Sequence, residues 1–191
     1  MAARGLRRVA RRAAPIVAVS GPSGVGKTRL LRRLVAELAR RGLRVGILKH
    51  TGHDHPFDRR GKDTEVLRRA GAVAAAIEGP SGMAYFGPPA GGARALARML
   101  PPVDLVLAEG WKREPLPRVE VHRRGVSPEF LCARDRRVFA VVTDAPPPRP
   151  LPAFDADDAS GLADLLCARW RLGAAPRRRA DGPPSAPRRR G

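Results

Sequence analysis

Apolar residues along this chain fall into short dense runs and longer periodic stretches. Ile16-Val17-Ala18-Val19, Leu43–Leu48, Val103–Ala108 and Arg137–Val142 read as buried strands. Arg29–Arg41 carries Leu30, Leu31, Leu34, Val35 and Leu38 on one stripe, with Arg32, Arg33, Glu37 and Arg40 outside it, and predicts an amphipathic helix. Gly42 is placed to stop it. Ser160–Trp170 predicts a second amphipathic helix, with Leu162, Leu165, Leu166 and Trp170 inward. Ala93–Leu100 reads as a helix ended by Pro101-Pro102, and Asp63 is placed to N-cap a short helix over Thr64–Ala70 that Gly71 stops. Arg118–His122 alternates polar and apolar and predicts an edge strand. Val73–Ile77 and Met83–Phe86 flank Gly79-Pro80-Ser81-Gly82 and form a candidate β-ribbon. Pro146–Pro152 reads as a rigid connector.

Strand, helix and strand in this order make a βαβ unit with parallel strands. The whole pattern predicts an α/β fold: a mostly parallel sheet flanked by helices, with a β-ribbon excursion. The connection between the first strand and first helix sharpens this. Gly21-Pro22-Ser23-Gly24-Val25-Gly26-Lys27-Thr28 reads G-x-x-x-x-G-K-T and is followed by Arg29, so the predicted class is a P-loop NTPase. Glycines free the backbone so that successive N–H groups face an anion. The helix N-terminus adds partial positive charge. Lys27 then serves the β- and γ-phosphates and the Thr28 hydroxyl serves Mg²⁺. A dinucleotide fingerprint fits less well, because its third glycine would fall on Arg29.

Glu109 follows the apolar run Val103–Ala108 directly and precedes Gly110, where phosphate-loop proteins hold Mg²⁺ or its water. Gly110 would let the backbone approach the γ-phosphate. Lys49–Lys62 is polar and sits at the C-terminal end of a predicted strand, where open α/β sheets bind ligands. Within and beside it, Asp58 and Asp63 are candidates for a second metal or water-positioning carboxylate; Asp63 also has the plainer role of helix cap. The candidate catalytic set is Lys27, Glu109 and Asp63, and the candidate metal set is Thr28, Glu109 and Asp63. Asp144, after the strand ending in Thr143, is the candidate reader of a guanine edge, although no N-K-x-D string accompanies it. His50, His53 and His55 could serve a transition metal, but their spacing matches no recognised ligand set, and a polar substrate or switch loop accounts for them as well.

Composition changes the picture in three ways. The 191 residues suit one domain with a sizeable core. The net charge of +19 is unevenly spread, with five Arg and no acid over residues 1–14 and a net +5 over 174–191. The chain therefore divides into a basic disordered N-terminus (1–14), a nucleotide-binding domain (15–173) and a disordered Pro/Arg-rich tail (174–191). Arg outnumbers Lys by 33 to four in a chain also rich in Ala, Gly and Pro, which reads as biased base composition; with aromatics at 4%, nucleic-acid binding is not the expectation. No run reaches the length of a membrane span and no secretory apolar segment is present. Cys132 and Cys167 lack disulfide or metal spacing, which points to a reducing cytoplasm.

In combination, these residues resemble the molybdopterin-guanine dinucleotide biosynthesis adapter family (MobB). The resemblance rests on Gly21–Thr28, Lys49-His50-Thr51-Gly52-His53, Asp58 with Gly61-Lys62-Asp63-Thr64, Ala70-Gly71-Ala72, Ala108-Glu109-Gly110-Trp111-Lys112 and Pro117-Arg118-Val119-Glu120-Val121. It spans roughly residues 15 to 145. Trp111 stands where the family more often has Phe. The resemblance implies a GTP- and Mg²⁺-binding homodimer with weak intrinsic GTPase activity, whose β-ribbon, here residues 73–87, takes part in the dimer. It implies a guanylyltransferase of the molybdenum cofactor pathway as partner and molybdopterin as a possible ligand. A small-molecule P-loop kinase and a metal-delivery GTPase are the alternative readings.

Overall fold

The computed structural model describes residues 13–52 and 61–173. His53, His55, Asp58 and nearly all of the two expected tails lie outside that range. Among the described residues the elements follow in the order β1 (Ile16–Ser20), α1 (Lys27–Arg40), β2 (Val45–Lys49), α2 (Asp63–Arg69), β3 (Ala75–Gly79), β4 (Gly82–Phe86), α3 (Ala93–Ala97), β5 (Leu105–Glu109), β6 (Arg118–Val121), β7 (Val138–Val142), β8 (Ala153–Phe154) and α4 (Ala159–Trp170). A 3-10 turn, Leu131–Ala133, lies between β6 and β7.

Six strands form one sheet in the order β2-β5-β1-β6-β7-β8, every pairing parallel. β3 and β4 form a separate antiparallel ribbon, with Gly79 opposite Gly82, as the sequence predicts. β5 enters between β1 and β2, although about 85 residues of chain separate it from β1. That insertion sets Val19, Glu109 and Lys49 side by side at the C-terminal ends of three neighbouring strands.

The sheet separates two apolar layers. On one face Val17, Val19, Leu105, Leu107, Val119 and Val121 meet the leucines of α1 and Leu162 and Leu166 of α4. The α1 stripe behaves as its spacing requires, with Leu30, Leu31, Leu34 and Leu38 buried. Each such side chain contributes roughly 1.5–3 kcal/mol when taken out of water. Arg41 ties the two helices together, donating from Nη1 to Asp164 Oδ1 at 2.5 Å and from Nη2 to the Ser160 carbonyl at 3.1 Å. On the other face Ala18, Leu48, Val106, Ala108 and Leu116 pack with Ala93 of α3.

Three sequence expectations change. β6 is an interior strand between β1 and β7, and all four of its residues are buried. Its alternation pointed to solvent, but the polar residues find partners inside. Arg118 donates from Nη1 to Ser20 Oγ at 3.3 Å and from Nη2 to the Glu114 carbonyl at 2.6 Å, and lies 3.3 Å from Asp135. Glu120 accepts from the Leu131 and Cys132 amides at 2.6 and 2.8 Å. α2 begins at Asp63 with Lys62 as its N-cap, so Asp63 sits in the first turn beside the helix dipole instead of capping it. The two-residue β8 falls in a stretch too short and polar to carry a strand pattern.

Candidate functional site

The loop between β1 and α1 has the backbone its sequence calls for. Gly21, Gly24 and Gly26 all have positive φ, at 152°, 77° and 99°. At Gly21 there is a second constraint: a Cβ would collide with the Val121 carbonyl oxygen. Val25 is buried and anchors the loop in the core shared with α1. Lys27, in the first turn of α1, folds back over the loop and donates to the Gly21 and Pro22 carbonyl oxygens at 3.2 and 2.6 Å. Its ammonium is thereby held over the concavity that a phosphate would enter.

Around that ammonium the charges are unusual for this chain. Partial burial lowers the Lys27 pKa, Glu109 raises it, and Lys112 and Lys49 lower it further. Three of the protein's four lysines therefore converge beside the loop, against a background of 33 arginines spread over the molecule. Lys49 and Glu109 are register partners at the ends of β2 and β5. The His50 amide continues the ladder, donating to the Glu109 carbonyl at 2.9 Å. Gly110 has φ 99°, and a Cβ there would strike the His50 carbonyl oxygen. Its lack of a side chain thus permits the close crossing of strand ends next to His50. The His50 ring packs against Trp111, with centroids 4.9 Å apart.

The donor set suits Mg²⁺. Neither the Thr28 hydroxyl nor the Glu109 carboxylate is taken up by a hydrogen bond among the described residues. Both offer hard oxygens, as that ion prefers. Asp63 is exposed at the start of α2, and no hydrogen bond or ion pair links it to the loop among the described residues. No cluster of three His, Cys, Asp or Glu side chains fit for a metal occurs among the described residues.

Beyond Val25 the loop borders a cavity of about 390 Å³ at the ends of β6 and β7. Asp144 lines it, together with Asp155 and Asp157. Asp144 Oδ1 accepts the Arg124 amide at 2.8 Å, and that bond holds its carboxyl below the usual range and therefore ionised. His122 lines the same cavity, with Nδ1 3.3 Å from Thr143 Oγ1. Arg29, adjacent to the loop, reaches Asp157 at 3.3 Å, and Arg33 pairs with the same carboxylate. The sequence reading did not include Asp155 and Asp157. Their signal was present as three acids, Asp155, Asp157 and Asp158, just before the last helix of an arginine-rich chain. Asp158 has a structural duty, accepting the Gly161 amide at 2.8 Å as the N-cap of α4.

Comparison with known proteins identifies the family. Residues 16–144 match the family model of molybdopterin guanine dinucleotide synthesis protein B, MobB. The chain is 35% identical over 160 residues to the molybdopterin-guanine dinucleotide biosynthesis adapter protein of Escherichia coli, covering 80% of this chain and 91% of that one. It is 32% identical over 164 residues to the Haemophilus influenzae protein of the same name, covering 80% and 87%. Among solved structures, Bacillus subtilis MobB superposes with a TM-score of 0.66 at 27% identity, covering 84% of this chain and 99% of that chain. A MobB homologue from Bacillus stearothermophilus gives 0.55 at 27% identity, covering 82% and 97%. The family match thus spans the glycine loop and the parallel strands from β1 to β7, and this chain is a member of the MobB family.

Proposed function

We propose that this protein acts as an adapter in the conversion of molybdopterin to its guanine dinucleotide, and that it binds GTP with Mg²⁺ at Gly21–Thr28 while doing so. The observation that carries the nucleotide reading is Lys27, folded over a three-glycine loop at a helix N-terminus with Glu109 next to it. The triphosphate would lie on the loop amides and the N-terminus of α1, with Lys27 turning from the Gly21 and Pro22 carbonyls onto the phosphate oxygens. Mg²⁺ would be held by Thr28 and by Glu109, directly or through water, and would neutralise charge on the β- and γ-phosphates. Asp63, at the start of α2, is the further candidate carboxylate for that ion. The base would enter the cavity past Val25, where Asp144 and Asp155 supply acceptors for the donor edge of guanine.

Intrinsic turnover would be weak, because the described residues at the loop would mainly bind and orient phosphate. A guanylyltransferase of the same pathway would carry out the chemistry on molybdopterin. The protein would act as a homodimer in the cytoplasm. No helix among the described residues is long and apolar enough to cross a membrane.

Calorimetric titration of the full chain with GTP and ATP, both with Mg²⁺, tests the reading. GTP is expected to bind at least tenfold more tightly, and Lys27→Ala to abolish binding. Equal affinity in the Lys27→Ala protein would rule out the loop as the site. A clear ATP preference would instead favour a kinase.

A further inference from the structure

A second cavity, of about 580 Å³, lies against the other side of the phosphate loop. It opens on the sheet face away from α1, where Ser20, Arg118 and Glu120 project. Gly21 and Pro22 line it, and Pro128, Phe130 and Leu131 contribute apolar surface. Its volume is that of a small-molecule site.

Two observations point to an anionic occupant. Arg118 lines the cavity while only 1% exposed, and its Nε has no hydrogen-bond acceptor; Asp135 Oδ2 lies 3.3 Å away without making one. Its Nη atoms are bonded to Ser20 and to the Lys112 and Glu114 carbonyls, so Nε is the donor left for an acceptor entering the cavity. Lys112 and Arg134 add cationic groups to the lining, where Glu120 is held by the Leu131 and Cys132 amides, Asp135 by Arg137, and Glu129 pairs with Arg134 at 2.6 Å and would have to release it to a phosphate. Lys112 is also close enough to the loop to depress Lys27, so it stands on the boundary between the two sites.

The apolar wall points to a flat ring. Phe130 lines this cavity and His122 lines the cavity beyond Val25, and the two rings stack at 3.6 Å and 8°. The loop therefore lies between two pockets that share a stacked aromatic wall. We propose that the cavity at Arg118 and Phe130 is a second ligand site for a planar heterocycle bearing a phosphate monoester, seated beside the bound nucleotide. The choice of a pterin as that heterocycle rests on the adapter role proposed above. Lys112 and Arg134 would meet the phosphate, Arg118 would supply charge from beneath, and the ring would lie along Phe130 and Leu131.

The test uses the full chain loaded with Mg²⁺ and a non-hydrolysable GTP analogue, so that the loop cannot take the probe's phosphate. The probe is 6-hydroxymethylpterin phosphate, followed by its fluorescence, with unphosphorylated 6-hydroxymethylpterin and inorganic phosphate as competitors. Saturable binding is expected, weakened at least tenfold by Lys112→Ala and by Arg134→Glu. Arg134→Glu should leave affinity for the GTP analogue unchanged. Each competitor alone is expected to bind at least tenfold more weakly than the probe. Absence of binding to the loaded protein, equal affinity in both variants, or equally effective competition by phosphate alone would overturn the site. If the GTP analogue itself does not bind, the nucleotide reading fails separately; the probe is then titrated against Lys27→Ala, which disables the loop, and the same outcomes decide the second site.

Discussion

Arg118 keeps its charge where water does not reach, and the residues around it show how that is made tolerable. Its guanidinium is bonded to Ser20 Oγ and to the Lys112 and Glu114 carbonyls, while Asp135 supplies the counter-charge. Asp135 is itself held below the usual carboxylate range, first by its hydrogen bond from Arg137. A depressed folded value means stability that is present above the unfolded carboxylate pKa and lost as pH falls through the folded one. Asp135→Asn should therefore cost about 3–5 kcal/mol near neutral pH, the usual effect of stripping the partner from a buried charge. The variant should also lose part of the acid limb below about pH 4, the ordinary carboxylate range; urea melts across pH 3 to 7 would show a parallel offset instead if Asp135 did not titrate with folding. Cys132 offers a second check at this scale. Burial and the nearby Glu120 push its thiol up to about 11. At pH 8 iodoacetamide should modify Cys167 well before Cys132, and mass spectrometry that found Cys132 labelled first would contradict its burial.

At the scale of elements, the β1–loop–α1 unit depends on backbone that only glycine adopts without strain. Gly21 combines a φ of 152° with an approach to Val121 that leaves no room for a methyl group. Gly21→Ala should destabilise by about 1–3 kcal/mol and weaken nucleotide binding by more than tenfold. An unchanged melting temperature with unchanged affinity would show that the loop tolerates the shift. The helix that follows was legible from its leucine spacing, because one buried stripe on a polar helix has a single outlet. β6 was not. Its alternating Arg118, Val119, Glu120 and Val121 match a strand with one wet face, and only partners distant in sequence, Ser20, the 131–132 amides and Asp135, make a dry position possible.

Over the whole molecule, charge and exposed apolar surface are unevenly placed. The β3–β4 ribbon stands outside the main sheet and leaves Ile77, Met83 and Tyr85 exposed, at 55%, 71% and 47%. Such a surface on a two-stranded ribbon is unfavourable in water unless something covers it, and the proposed homodimer would do so. Ile77→Glu should shift sedimentation from dimer to monomer with little change in melting temperature, since Ile77 contributes nothing to the main core. A dimer that persists would place the interface elsewhere.

What the sequence determined by itself was local or periodic: the phosphate loop, the α1 stripe, the parallel α/β class, the ribbon and the carboxylate at the end of β5. Each depends on neighbouring residues or on a repeat set by helix and strand geometry, so each can be read without knowing what lies across the fold. Tertiary structure decided the rest. β5 had to insert between β1 and β2 before Glu109 and Lys49 became neighbours and three lysines met at one loop. Asp155 and Asp157 joined the cavity of Asp144, and Arg118 and Phe130 came to line a second cavity, through contacts between segments that no periodicity connects. Such meetings are set by the order of strands in the sheet and by pairing of buried charges, which depend on the whole chain.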